Sequence, residues 1–513
     1  MHEPDIVLDK FEGAMVFSAI GDALGWPTEL GRHSRHISDF VVWKKAVGGR
    51  YFGFEETIKA GSYSDDTQLT LSTARCIDEK GNFDPDTFAY LELPLWQDYE
   101  RGGGRAVKAA AALFSKKQRE WFDAFYKIGD LEYRNAGGNG AAMRMLPLAL
   151  VNANDGNKLL RDIFISSVIT HGHPRAILGA IIYSSLINFT LKQRELQRKT
   201  VQEYLRQITN TPLESLKEYP WFERWLDNWN KRPLDRITFE HHFQKAQEEA
   251  LRYIEAISTF IDSPDVRYYQ LTGALNRVTR GSGLSTVSVA TYLLLKYIYE
   301  PEKALLTAVN MAGSDTDTIA SFVGGLFGSL YGRQAIKKNL IDNLQDKEYI
   351  LKVAGRLYKI ASREILQESI LSRRLEWQDF PLIIKAWQIG LFGMFWDALE
   401  KEDIVTHPVL GRGKITRKEV KPVQRDDYIA KLVEASFDCG QSCVFHSRVR
   451  KELSSILAGE FPKEETPEER LKHLIEKGLI RGPAVKFEDF HPLKIPGSPL
   501  SKLLEEIRSE PNE

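Results

Sequence analysis

Ser64-Asp65-Asp66-Thr67 and Asp315-Thr316-Asp317-Thr318 are two short acidic clusters far apart in the chain. Each heads a segment that turns apolar at once: Leu69, Leu71 and Ala74 follow the first, and Ile319, Ala320, Phe322 and Val323 the second. Both read as the first turn of a buried helix, where unpaired N–H groups and the helix dipole favour negative charge. Taken singly, each is also an ordinary run of N-cap residues. Four carboxylates gathered in one place would repel each other, and a cation resolves that repulsion. Carboxylates with hydroxyls are hard oxygen ligands, which suit Mg²⁺ or Mn²⁺ rather than a thiolate-seeking metal.

Outward from these clusters, the chain reads as mainly α. Phe11, Met15, Ala19 and Ile20 share one helical face, as do Ile169, Ile177, Leu178, Ile181 and Ile182 in part of a second helix. The stretch from Val287 to Leu295 is apolar nearly all round, the mark of a buried helix. A helical body is expected over 1–361, with an insertion at 190–270 rich in charge and aromatics. The insertion's tryptophans, Trp221, Trp225 and Trp229, are expected to pack against the body. A helical connector follows at 362–400, running through Trp377, Trp387, Phe392, Phe395 and Trp396. Then the period shifts toward two: Val405 to Val420, Tyr428 to Phe437 and Cys443 to His446 read as strands of a small SH3-like β-barrel at 401–450. A helical tail is expected over 451–513, starting near Thr466-Pro467-Glu468-Glu469.

The bulk numbers exclude several classes. The 513 residues are 43% apolar and 27% charged, an ordinary globular composition. With 69 basic and 70 acidic residues the net charge is −1, so no global field draws the chain to nucleic acid or a membrane. Cys76, Cys439 and Cys443 cannot form a disulfide framework and suit a reducing compartment. Asp5, Asp9 and Glu12 interrupt any signal-like apolar run, and no stretch reads as long enough to span a bilayer. The expectation is a cytoplasmic protein with no membrane contact.

Three more motifs bear on chemistry. Gly21-Asp22-Ala23-Leu24-Gly25 precedes Trp26-Pro27-Thr28-Glu29, and reads as a helix end with Glu29 projecting into a site. Gly137-Gly138-Asn139-Gly140-Ala141-Ala142-Met143-Arg144 is a glycine-rich loop opening onto a helix, able to offer N–H groups to phosphate oxygens. Arg144 either donates to the ligand or braces the site from behind. Thr170-His171-Gly172-His173-Pro174 offers a histidine to a substrate, or a capping or core histidine. The glycines after the second cluster, Gly324, Gly325, Gly328 and Gly332, suggest a helix packed backbone-close against a neighbour.

Together these five motifs, in this order, resemble the ADP-ribosylglycohydrolase family, which includes the dinitrogenase reductase-activating glycohydrolase. The resemblance implies an orthogonal helical bundle holding two Mg²⁺ (or Mn²⁺) ions in a cleft. Its metal ligands match Ser64, Asp65, Asp66, Asp315, Asp317 and Thr318. Glu29 falls where the family keeps a mobile carboxylate. Asn139 and Gly140, with Met143, match the diphosphate and ribose cradle, and His171 a substrate-facing residue. The chain departs in having Gly313-Ser314 where two glycines are usual, and Ser64 where Thr is common; a hydroxyl or small residue is kept at each.

The implied reaction is hydrolysis of the glycosidic bond between ADP-ribose and a modified acceptor, through an oxocarbenium-like transition state. Asp66 is the first choice for the general base and Glu29 the second, with Glu29 also able to serve the leaving group. A module that binds ADP-ribose without turnover is the alternative, against which the full set of acidic ligands argues. The 401–450 region, opening on His407-Pro408-Val409-Leu410-Gly411-Arg412-Gly413, is similar to the Tudor-like barrel at the end of some DNA helicases. Arg412, Lys414, Arg417, Lys418, Lys421 and Arg425 then suggest a nucleic-acid or acidic protein partner, or a solvated edge strand guarded by cations. Cys439 and Cys443 with His407 and His446 lack the spacing of a zinc finger or ribbon.

Overall fold

Two helices buried on nearly every side form the centre of the protein. The computed structural model describes residues 7–451 apart from 32–35, 48–52, 117–118, 212, 232–236, 365–379, 395 and 397–398. The first central helix is Leu8–Gly25, with Phe11 and every residue from Gly13 to Gly25 buried. The second is Thr316–Tyr331, buried from Thr316 through Leu330. Helices apolar all round belong in the middle of a large core.

Glycines let these two helices meet at backbone distance. A Cβ on Gly324 would lie 2.1 Å from the Phe17 carbonyl oxygen, and one on Gly328 2.2 Å from that of Gly13. From the other side, a Cβ on Gly21 would lie 2.1 Å from the Ala320 oxygen, and one on Gly25 2.4 Å from that of Thr316. Ser18 and Ser321 share a hydrogen bond of 2.8 Å in the contact. Gly21 and Gly25 thus serve helix packing, and the α-helix ends at Gly25, where the motif reads as a helix end.

Around this pair stand Pro174–Leu191, Gly283–Lys296 and Lys347–Ala361, with Gly156–Thr170 packed on the first of these. Pro174–Leu191 corrects one expectation, since this 18-residue helix has a mean hydropathy of 1.2 and is apolar enough to cross a membrane. It is 89% buried inside the protein, and its apolarity serves the core. The insertion folds as Arg198–Thr209, Pro220–Asn230 and Phe239–Phe260. Trp225 and Trp229 are buried, as expected, and each indole N–H reaches the body: Trp225 donates to the Tyr133 hydroxyl at 2.8 Å, Trp229 to the Gly172 carbonyl at 2.8 Å.

Beyond the body, Phe380–Ile389 is helical, and Trp387, Phe392 and Trp396 are buried. Trp377 and Phe395 of the expected connector, and the expected tail beyond residue 451, lie outside the described residues. Four antiparallel strands follow, in sheet order as in sequence: Ile404–His407, Gly411–Pro422, Tyr428–Phe437 and Ser442–Arg450. They form a curled half-barrel rather than the closed barrel expected. Among the described residues the first and last strands do not pair, because the curl packs on the helical body instead. Phe445 sits edge-on to Tyr99 and to Trp387, and the His446 N–H donates to the Asp98 carbonyl at 2.9 Å. Residues up to Val449 form one compact unit.

Gly324→Ala should destabilise the protein by about 3 kcal/mol, because the added methyl meets backbone that cannot give way. Urea unfolding of the purified variant measures this. A variant as stable as its parent would show that the two central helices are free to part.

Candidate active site

The first acidic cluster is fastened by a carboxylate from the central helix. Ser64 is the N-cap of the Asp65–Arg75 helix, accepting from the Asp66 N–H at 3.3 Å. Asp22, fully buried, accepts from the Ser64 N–H at 3.0 Å, the Thr67 N–H at 3.0 Å and the Thr67 hydroxyl at 2.6 Å. It thereby occupies a helix N-terminus from outside, where orphan N–H groups favour an anion. Sequence reading missed Asp22 as a site residue. Its signal was present: a lone carboxylate in an otherwise apolar buried helix must have partners.

The second cluster meets the first. Asp315 is the N-cap of its helix, and the Asp317 carboxylate accepts from the Thr318 N–H at 2.8 Å. The Thr318 hydroxyl reaches across to Asp66 Oδ2 at 3.3 Å. Thr316 turns the other way, donating to the Gly25 carbonyl at 2.9 Å, while Thr28 donates to Thr316 Oγ1 at 3.1 Å. That pins the Trp26–Gly31 turn, which carries Glu29, beside the cluster.

Burial, then neighbouring negative charge, holds these carboxyls well above the ordinary carboxylate range. For Asp66 the neighbours are Asp22, Asp65 and Asp315; for Asp317 they are Glu29, Asp315 and Asp66. Asp65 is raised by burial, Glu100 and Asp22, with Lys45 opposing. Asp66 Oδ1 is buried with no hydrogen-bond partner. Among the described residues no group of three or more His, Cys, Asp or Glu side chains is arranged to hold a metal ion. The oxygens present are nonetheless of the kind a hard cation takes: Asp65, Asp66 and Asp317 with the hydroxyls of Ser64 and Thr318. An orphaned buried carboxylate oxygen among repelling neighbours fits such a cation.

The glycine-rich loop lies against the second cluster. Asn139 Nδ2 donates to Asp315 Oδ2 at 3.1 Å, and the Asn139 N–H donates to the Gly281 carbonyl at 2.8 Å. Gly140 packs tightly against His171, whose Cε1 and Nε2 would lie 2.9 and 3.2 Å from a Cβ there. Met143 is buried; its N–H donates to the Asn139 carbonyl, and its own carbonyl accepts from the Thr70 hydroxyl at 3.1 Å, joining loop to first cluster.

Arg144 proves to be a brace. Fully buried, it donates to the Gly140 carbonyl, the Ser166 carbonyl and the Thr170 hydroxyl, the last at 2.8 Å. Thr170 Oγ1 accepts from Arg144, and we assign its own proton to His171 Nδ1, the acceptor within reach at 2.7 Å. The His171 proton then sits on Nε2, facing the loop. Burial, with Arg144 nearby, lowers the His171 pKa to about 3. The imidazole is therefore a neutral donor aimed at the cradle.

A further wall went unread in the sequence. The hairpin of Trp43–Val47 and Phe54–Ile58 carries Lys45, whose ammonium lies 4.4 Å over the Trp26 ring. Gly102, with φ of +98°, leaves open the space bounded by Asp65 Oδ1, Lys45 Nζ and Trp26 Nε1. In the C-terminal sheet, His407 is a core residue: Nδ1 accepts from the Val409 and Leu410 N–H groups, and Trp387, Phe437 and Phe445 surround the ring.

Fold and site define a helical protein whose two central helices bring acidic and hydroxyl oxygens together beside a glycine-rich cradle. The chain belongs to the ADP-ribosylglycohydrolase family, whose sequence profile matches residues 3–365. It is 26% identical over 360 residues to an uncharacterized protein of Archaeoglobus fulgidus, covering 69% of this chain and 98% of that one. It is 22% identical over 365 residues to the ADP-ribosylarginine hydrolase Tri1 of Serratia proteamaculans, covering 70% and 81%. It is 21% identical over 378 residues to the ADP-ribosylhydrolase ARH3 of Gallus gallus, covering 69% and 94%. The C-terminal sheet lies outside the family match.

The His171 imidazole should stay neutral through pH 5 to 8, its ¹⁵N and ¹H resonances fixed while exposed histidines titrate. Its folded pKa of about 3 lies below the unfolded value of about 6.5, so its contribution to stability is present above pH 6.5 and is lost as pH falls toward 3. A His171 resonance titrating near pH 6.5 would refute the chain of hydrogen bonds from Arg144.

Proposed function

We propose that this protein hydrolyses the glycosidic bond joining ADP-ribose to a modified acceptor, and so reverses ADP-ribosylation. The observation that carries this reading is the meeting of Thr318 Oγ1 and Asp66 Oδ2, with Asp66 Oδ1 left buried and unpartnered. Family membership and the ADP-ribosyl hydrolases among its relatives support it.

In this reading Ser64, Asp65, Asp66, Asp315, Asp317 and Thr318 hold two Mg²⁺ or Mn²⁺ ions. Bound there, the ions would polarise the ribose hydroxyls and acidify water. The cradle of Asn139 and Gly140 seats the diphosphate and ribose, and His171 Nε2 donates to a substrate oxygen. Asp66 takes a proton from the attacking water as its oxygen bonds to the anomeric carbon. Glu29, half-buried at the rim, supplies the proton that leaves with the acceptor as the glycosidic bond breaks.

The cations of the C-terminal sheet favour the solvated-edge reading over a nucleic-acid partner. Lys414 pairs with Glu402, Arg417 with Glu434 and Glu419, Lys421 with Glu419, and Arg425 with Asp427. With Lys414, Arg417, Lys421 and Arg425 each paired to a carboxylate, the strip offers less free charge to phosphates.

Asp315→Ala and Asp317→Ala should each cut ADP-ribose release by roughly 10²-fold or more, the usual scale for lost transition-state stabilisation, with far-UV circular dichroism unchanged. The measurement is mass-spectrometric detection of free ADP-ribose from a panel of arginine-, serine- and nucleobase-linked substrates, with and without EDTA. Release at the parent rate by the purified double variant would end the assignment. ADP-ribose binding without EDTA-sensitive release from any substrate would favour the binding-module alternative.

A further inference from the structure

Lys45 brings an ammonium to the acidic centre from a strand that no motif announced. It lies over the Trp26 ring, and the space that a Cβ on Gly102 would occupy is 3.3 Å from Lys45 Nζ and 3.1 Å from Asp65 Oδ1. Glu100, Asp65, Glu29 and Glu56 are the carboxylates that act on it. Of these Glu100 also pairs with Lys108 at 2.8 Å.

What holds Lys45 there is the C-terminal sheet. The inner end of the hairpin is fixed by Trp43 standing edge-on to Trp26, ring centroids 5.0 Å apart, with Ile58 beside them. At its outer end Val47 and Phe54 are buried in a cluster with Val423, Ala430, Leu432 and Val444 of the sheet region. Lys421 Nζ donates to the Glu55 carbonyl at 3.0 Å, and Lys59 pairs with Glu434 at 2.6 Å. The sheet lies beyond the family match, so its grip on this hairpin is an addition to the family body.

We infer that Lys45, held in place by the C-terminal sheet, is a positioning residue that sets how tightly the acidic centre binds divalent cations. The inference rests on the reading that Asp65 and Asp66 are metal ligands. A fixed ammonium beside Asp65 supplies part of the positive charge that the crowded carboxylates require. It repels a divalent ion arriving at the same oxygens, so it lowers affinity for that ion while supporting the ion-free protein. Charges a few ångströms apart in a partly buried site act with enough force to change a binding constant by at least tenfold, even after screening. A residue that merely packed on Trp26 would affect stability and leave cation affinity alone.

The test is Mn²⁺ binding to the EDTA-stripped full-length protein, followed by electron paramagnetic resonance, for the parent, Lys45→Met, Lys45→Arg and Phe54→Ala. Lys45→Met should bind Mn²⁺ about tenfold more tightly, and its ion-free form should melt at a lower temperature. Lys45→Arg, which keeps the charge, should bind as the parent does. Phe54→Ala, which loosens the hairpin from the sheet, should shift affinity in the same direction as Lys45→Met. Unchanged or weaker binding by Lys45→Met overturns the inference, as does tighter binding by Lys45→Arg. Parental binding by Phe54→Ala alongside tighter binding by Lys45→Met overturns the part assigned to the sheet. If the parent shows no Mn²⁺ binding that Asp317→Asn removes, the metal reading itself falls and takes this inference with it, an outcome separate from the others.

Discussion

Backbone-to-backbone contact between Leu8–Gly25 and Thr316–Tyr331 is the constraint on which the site depends. Side chains normally keep helices 8–10 Å apart, and glycines on both sides remove that spacer. The closeness has a chemical consequence. Gly25 meets the backbone of Thr316, so the turn bearing Glu29 begins where the second acidic cluster begins. Asp22, one turn earlier, is positioned to hold the first cluster through Ser64 and Thr67. The same helix pair thus aligns three functional segments, the last of which lies 252 residues along the chain from the second.

That convergence creates an electrostatic problem, and the protein distributes the answer. Asp22 is satisfied by helix N–H groups and a hydroxyl, so its charge is absorbed by hydrogen bonds. Asp65 has an ammonium across the gap at Gly102, and Asp315 has the Asn139 amide. Asp66 and Asp317 are left with little beyond Thr318. The need for a cation is therefore greatest where the two clusters touch. On the cradle side the sign reverses: Arg144 is fully buried among carbonyl and hydroxyl oxygens, and burial, with this positive charge beside it, keeps His171 neutral. A divalent cation and an anionic diphosphate would each meet the field that suits it.

Much of this was legible because the motifs are local. An acidic pair at a helix start, glycines at helical spacing and a glycine-rich loop declare themselves within ten residues of chain. The packing of Gly324 and Gly328 and the inward placement of Trp225 and Trp229 followed from such reading. What escaped was non-local. Lys45 and Trp43 lie on a short strand whose alternation, exposed at Lys44 and buried at Trp43 and Val47, is too brief to stand out. Asp22 was hidden inside a glycine motif that reads as a helix end. The barrel does not close, and its inner Phe445 packs on Tyr99 and Trp387 instead, which no pattern within 401–450 could reveal.

The 190–270 stretch and the C-terminal sheet each reach segments that carry the site. The insertion hydrogen-bonds Tyr133 and Gly172, and a Cβ on Gly172 would strike the Tyr133 ring, so Trp225 and Trp229 clamp the segment that aims His171. The sheet grips the segment from Asp98 to Gly103. His446 takes the Asp98 carbonyl, while the Tyr99 and Arg101 backbone is tied to Gln68, and the Arg101 carbonyl accepts the Asp65 N–H at 2.9 Å. A second route runs through Arg75 on the same helix, which is paired with Glu92 at 2.7 Å and donates to Gln441 at 2.8 Å. Buried charged contacts of this kind are costly to leave half-made. The sheet is thus coupled to the helix that presents Asp65 and Asp66, which makes it part of the catalytic body in physical terms rather than an appendage joined by a linker.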